Sequence, residues 1–133
     1  MAEYGEAAFR AARAMVGVRF RPQGHDPATG LDCVGLVWAA YAAAGRRLVR
    51  PVDYPLRGWG LERIEGALGA TGFVRADDAM RAGDVVLIAH PARQYHLGLI
   101  GSETFIHAHA GLRRVVETPL DFGVRGARRW RLS

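Results

Sequence analysis

Cys33 is the only cysteine in the 133-residue chain, so it can form no intramolecular disulfide and belongs to no four-thiolate metal site. A lone cysteine is either a small packing residue or a nucleophile, and its neighbours decide between the two. Asp32, immediately before it, is a favoured helix N-cap, and Ala-rich sequence follows as far as Gly45. A helix with Cys33 in its first turn is predicted. There the unpaired backbone N–H groups and the positive end of the helix dipole favour thiolate by about 0.3–1 kcal/mol. The charge of Asp32 opposes this, so a strong nucleophile requires an imidazolium partner, which can bring a thiol pKa from ~8.5 to ~3–4. By helical spacing Cys33 shares a face with Leu36, Val37, Ala40 and Ala44, the stripe that has to face the protein.

Histidine is concentrated in the second half of the chain, where His90, His96, His107 and His109 fall close together. Alternation along strands places His96 and Gly98 on one face of theirs, and Phe105, His107 and His109 on one face of the next. The segment Gly101-Ser102-Glu103-Thr104 reads as a hairpin turn that makes the two strands neighbours. Both histidine rows are then expected to face the same helix. A cysteine at a helix start, a histidine on a strand facing it, and a second polar residue holding that imidazole form a nucleophile, base and orienter. Two other readings use the same residues. His96 alone would serve as a core histidine bonded to backbone, and His107 and His109 would supply two zinc ligands on one strand face, with His96 or Cys33 as a third. The sequence contains no Cys-x-x-Cys and no His-Glu-x-x-His, and no metal or other cofactor is expected.

The elements that must position these groups follow from periodicity. Ala8, Phe9, Ala12, Met15 and Val16 recur at helical spacing within residues 3–16. Residues 19–31 contain Pro22, Gly24, Pro27 and Gly30 and read as a long loop. Residues 46–59, with Pro51 and Pro55, read as extended loop, and a shorter helix follows around Leu61, Ile64 and Leu68. From Asp84 the pattern becomes β: 84–88, 96–100, 104–109, 114–117 and a last run near 128–131. Helices first and strands second, with short links between strands, predict one α+β domain over residues 1–133, its N-terminal helices packed on one face of an antiparallel sheet.

Composition narrows the class. Half the residues are hydrophobic and 23% charged, which excludes disorder and a coiled coil. The longest apolar run, residues 33–45, falls well short of the roughly 20 residues that span a bilayer, so no membrane insertion is expected. The acidic start Met-Ala-Glu-Tyr-Gly-Glu does not read as a signal peptide, and synthesis in the cytoplasm is expected. The net charge of +5, carried entirely by arginine, favours an anionic partner. Because the arginines are spread along the chain, no specific nucleic-acid binding is expected.

Four segments resemble, in order, the motifs of the NlpC/P60 cysteine peptidases. Asp32-Cys33-Val34-Gly35-Leu36-Val37 is similar to the nucleophile motif Asp-Cys-Ser-Gly-Leu-Val, and Gly83-Asp84-Val85-Val86-Leu87 to Gly-Asp-Leu-Val. His96-Leu97-Gly98-Leu99 resembles His-Val-Gly-Ile, which carries the base, and Phe105-Ile106-His107-Ala108 the segment with the third catalytic residue. The resemblance covers residues 17–111. It implies a papain-like α+β fold, with Cys33 as nucleophile, His96 as general base and His107 orienting His96, or His109 in its place. It also implies a substrate: peptide stems of peptidoglycan, cut at bonds involving D-amino acids beside D-glutamyl and diaminopimelate residues. Phe20 stands where the family often has a Tyr that helps hold the substrate amine, and Val34 where it has Ser, so both positions lack a hydroxyl. Asp32 remains as the acidic contact of that set. The short chain and its ending Val115-Val116-Glu117-Thr118-Pro119-Leu120 further resemble small wall peptidases encoded with phage tails and gene transfer agents. Phage-like tail proteins as partners, and action in the periplasm or cell wall, are therefore expected. A tail-tip structural module without useful activity, and an amidase of the related CHAP type, are the alternatives.

Overall fold

The computed structural model describes residues 4–48, 61–90 and 94–132. Most of the predicted 46–59 loop lies outside them. Helix α1 (Tyr4–Ala14) buries Ala8, Phe9 and Ala12, the stripe its periodicity marks. Helix α2 (Cys33–Ala43) follows, buried on most of its circumference rather than along one stripe. The expected loop between them contains a two-stranded hairpin, β1 (His25–Asp26) and β2 (Gly30–Leu31). Its turn is closed by Asp26, whose Oδ1 accepts from Ala28 N and whose carbonyl accepts from Thr29 N. A strand of two residues leaves no periodic trace in a sequence.

After α3 (Leu61–Ala70) come β3 (Phe73–Arg75), β4 (Val85–His90), β5 (Gln94–Ile100), β6 (Thr104–His109), β7 (Arg114–Pro119), the single turn α4 (Phe122–Arg125) and β8 (Arg128–Leu132). These six strands form one sheet in the order β3-β8-β4-β5-β6-β7, antiparallel at every pairing. The α+β architecture is as predicted. The short strand β3 and the turn α4 are additions to it.

Alternation sorts the two faces. Val85, Leu87, Leu97, Leu99, Ile106 and Ala108 pack with the buried residues of α1, α2 and α3 in one large core. Val86, Ile100 and Phe105 point the other way and pack with Val124 of α4 in a smaller one. The sheet is therefore covered on both faces, unevenly, where helices on one face were expected. Buried Asp84, at the head of β4, ties the C-terminal strand to the sheet. Its carboxylate accepts from Arg129 Nη1 (2.8 Å) and from Arg131 Nε (2.7 Å) and Nη2 (2.8 Å).

Candidate active site

The start of α2 is built by Asp32. Its Oδ1 accepts from Gly35 N (2.7 Å), the N-cap bond, and its Oδ2 accepts from Gln23 N (2.9 Å) in the preceding loop. The Asp32 amide in turn donates to the Gly24 carbonyl (3.2 Å). One carboxylate thus caps the helix and fastens residues 23 and 24 against its first turn. Such a cap is worth about 0.5–2 kcal/mol. Asp32 is 0% exposed and acts on the start of α2 from within. Val34 is likewise turned into the main core. Phe20 is partly buried against that core, its amide donating to the Arg113 carbonyl (2.8 Å).

Cys33 is partly buried, and the backbone amides of Leu97, Val34 and Cys33 itself point at its sulfur. The Leu97 amide locates the thiol on the sheet. Ile100 N donates to the Asp84 carbonyl, on the β4 side, so alternation turns Leu97 N–H to the opposite side, towards β6. The β5–β6 ladder runs only over Gly98↔His107, Leu99↔Ile106 and Ile100↔Phe105. Leu97 would next meet Ala108, but the strands have parted and its amide meets the cysteine sulfur instead. Meanwhile β6 continues alongside β7 as far as His109↔Arg114. Cys33 sits where β5 and β6 separate, beside the residue that follows His96.

This corrects the expectation that the histidine rows face the nucleophile's helix. His96 and His107 have the parity of Ile100 and Phe105, the face away from α1 and α2. Leu97, Ile106 and Ala108 take the helix side, because α2 buries only apolar partners along its length. Cys33 meets the sheet through the Leu97 amide, one residue along β5 from His96.

Within that row His96 Nε2 and His107 Nδ1 are 2.7 Å apart, with the rings perpendicular at 4.8 Å between centroids. His107 Nε2 lies 3.3 Å from Thr118 Oγ1. A donor at His96 Nε2 requires a bare Nδ1 on His107, and hence a proton on His107 Nε2 to give to Thr118. In that tautomer Nδ1 of His96 carries no proton; with His107 Nδ1 as the donor instead, the same distances put a proton on His96 Nδ1. Phe105 holds the pair in place, stacked on His107 (4.6 Å, 18°) and edge-on to His96 (6.3 Å). Gly98 makes this possible, since a Cβ there would run into the Phe105 ring. His109 is engaged elsewhere: its Nδ1 accepts from Leu112 N (3.0 Å) in the following turn. Of the two candidates for the third position, His107 is the one bonded to His96.

Thr118 lies outside the sequence motifs that mark Cys33, His96 and His107. Its signal was available only through register, since Phe105↔Thr118 and His107↔Val116 put Thr118 on the histidine face diagonal to His107. His96, His107, His109, Thr118 and Asp121 line one side of a groove of about 1050 Å³ on that face. Among the described residues no three His, Cys, Asp or Glu side chains converge as a metal-holding group.

The resting thiol is not activated. Burial first, and the Asp32 charge second, push Cys33 up to about 11, against the pull of the three amides. At neutral pH the proton rests on sulfur, and a base has to remove it during attack.

A helix-borne cysteine beside a hydrogen-bonded histidine pair on an antiparallel sheet is the arrangement of a Cys–His–His site on an α+β domain. The NlpC/P60 family model matches residues 17–123, and the chain belongs to that family. Solved structures share the fold at low identity. The chain is 21% identical to the NlpC/p60 domain of the peptidoglycan hydrolase SagA, with a TM-score of 0.61 and 97% of each chain covered. It is 22% identical to NlpC2 from Trichomonas vaginalis, with a TM-score of 0.68 over 99% of this chain and 47% of that one. It is 24% identical to the peptidoglycan hydrolase RipB of Mycobacterium tuberculosis, with a TM-score of 0.59 over 95% of this chain and 63% of that one. This chain thus spans about half of NlpC2 and under two thirds of RipB. No curated protein sequence matches the chain.

Proposed function

We propose that the protein is a peptidoglycan hydrolase, a cysteine endopeptidase cutting the stem peptide by acyl transfer through Cys33. The observation that carries this is the 2.7 Å bond from His96 to His107, with the Cys33 sulfur at the amide of Leu97, the residue that follows His96. His96 Nδ1 takes the thiol proton as Sγ attacks the scissile carbonyl carbon. The amides around the sulfur stand ready for the developing oxyanion. The C–N bond then breaks, His96 returns the proton to the leaving amine, and a water activated by the same imidazole hydrolyses the thioester. His107 holds the ring of His96, and Thr118 holds His107.

The substrate reading is supported by family membership and by the likeness to SagA and RipB, both peptidoglycan hydrolases. Delivery in a phage-like particle, with tail proteins as partners and action in the periplasm or wall, rests on the resemblance of the 115–120 segment to particle-borne wall peptidases.

Digestion of purified peptidoglycan, followed by mass analysis of the released fragments, tests the reading. Wild-type protein should release stem fragments with new termini, Cys33→Ala should release none, iodoacetamide should stop the reaction and EDTA should leave it unchanged. Chelator-sensitive, alkylation-resistant hydrolysis would overturn the cysteine mechanism. No release from any wall preparation would favour a structural module, for which the missing hydroxyls at Phe20 and Val34 speak.

A further inference from the structure

We infer that Arg19, Arg21 and Arg114, flanked by Arg113, form a docking surface for the carboxylates of the peptidoglycan strand, continuous with the histidine groove. This rests on the proposed wall substrate and adds a second place where the enzyme holds it. Residues 17–20 run beside the start of β7: Gly17 N donates to the Val115 carbonyl, Val115 N to the Val18 carbonyl and Phe20 N to the Arg113 carbonyl. Arg19 is thereby paired directly with Arg114 in antiparallel sense, and Arg114 is paired with His109. Residues directly opposite in an antiparallel pairing present their side chains on the same face. His109, Arg114 and Arg19 therefore form one row across the sheet, on the face that carries His96 and His107.

Gly30 adds Arg21 to the row. A Cβ on Gly30 would lie 2.6 Å from Arg21 Cβ and 3.0 Å from Arg19 Cγ, so both arginine stems cross the bare backbone of this glycine side by side. Its φ of +135° is also one that side chains rarely adopt. Phe20 and Val18, of opposite parity, pack against the core. Arg19, Arg21, Arg113 and Arg114 are all exposed. Among the described residues none of the four is in a salt bridge, in contrast to Arg10, Arg13, Arg75, Arg81, Arg128, Arg129 and Arg131. The neighbouring acids are turned elsewhere: Asp26 accepts from Ala28 N, and Glu117, on the other face of β7, is held by Arg13 and Thr104.

Like charges directly opposite one another destabilise a pairing, and Arg19 faces Arg114 with no salt bridge to either among the described residues. An anion laid along the row removes that penalty. The surface begins at the loop that Asp32 fastens to the nucleophile's helix and meets the groove at His109, so a strand bound there enters the active site. Stem carboxylates recur along such a strand, which suits a row of guanidinium forks.

Binding is read on Cys33→Ala protein, so that the result does not depend on hydrolysis. Cosedimentation with insoluble peptidoglycan should weaken about tenfold when Arg19→Gln and Arg114→Gln are added, and the loss should be largest at low salt. The charge-matched control Arg75→Gln with Arg81→Gln should bind as before. Peptidoglycan whose carboxylates have been amidated should bind the parent no better than untreated wall binds the double variant. In the active protein the same pair should raise KM for wall with kcat unchanged, and thermal unfolding should show no loss of stability. Unchanged sedimentation of the double variant overturns the inference. So does equal, equally arginine-dependent binding to duplex DNA or to phosphatidylglycerol vesicles, which would make the surface a general polyanion or membrane site.

Discussion

Along β5 the side chains alternate between two environments within a few ångströms. Leu97 and Leu99 are 2% and 0% exposed against the helices, while His96, just before them, turns to an open groove. Strand β6 repeats the division, with Ile106 and Ala108 at 0% and His107 and His109 on the groove side. The leucine face supplies rigidity: each large aliphatic side chain buried there is worth about 1.5–3 kcal/mol. The histidine face supplies chemistry, held by a hydrogen-bonded chain and a phenyl ring rather than by burial. Because both faces share one backbone, the core fixes the positions of the histidines without touching them. Damage to one face should therefore appear in stability and damage to the other in activity.

The largest effect expected lies on the histidine face. His96→Ala removes the base and should lower kcat by about 10²–10⁴ with little change in thermal unfolding. His107→Ala leaves the base but frees its ring, so a smaller loss is expected. Thr118→Val, which keeps the shape and removes the hydroxyl, should cost less again, and Thr118→Ser should restore the activity. His109→Ala should leave kcat nearly unchanged. If His109→Ala proves more damaging than His107→Ala, the bonded pair is not the working pair.

On the leucine face the pattern should invert. Leu99→Ala opens a cavity in the main core and should cost about 2–5 kcal/mol in denaturant unfolding. Well below its melting temperature the variant should keep a kcat close to that of the wild type. A large loss of kcat in fully folded Leu99→Ala protein would show that the two faces are not separable.

How far the sequence discloses these faces depends on the range of the interaction. Asp32 before Cys33, and the alternation of His96, Gly98, Phe105 and His107, are local patterns, and each is legible residue by residue. The helix side of α2 is legible too, as an apolar stretch. What alternation cannot reveal is where a ladder stops. Nothing in Leu97 or Ala108 marks the point at which β5 leaves β6, so the histidine row was assigned to the helix face. Thr118 escaped for a related reason: its bond to His107 depends on the β6–β7 register, set across a turn by the whole strand pair. The resemblance of Asp32 and Val34 to substrate contacts carried no information on burial, which here turns both inward.

The smallest expected effect concerns the sulfur, which belongs to neither face. Its pKa is raised to about 11 by burial and by Asp32, so the folded protein holds the neutral thiol where an unfolded chain would already have lost the proton. The sign follows: this preference adds stability below the ordinary thiol pKa and loses it as pH rises through about 11. At pH 7 only about one sulfur in ten thousand would be thiolate, since each pH unit below the pKa is a factor of ten. Alkylation of Cys33 by iodoacetamide in the absence of substrate should therefore be slow at neutral pH and climb about tenfold per unit up to the raised pKa. His96→Gln should leave that profile unchanged, because the imidazole acts only when a carbonyl is there to receive the sulfur. A fast rate already present at pH 6 and abolished by His96→Gln would show instead a preformed thiolate–imidazolium pair, with the histidine face reaching through the parted strands before substrate arrives.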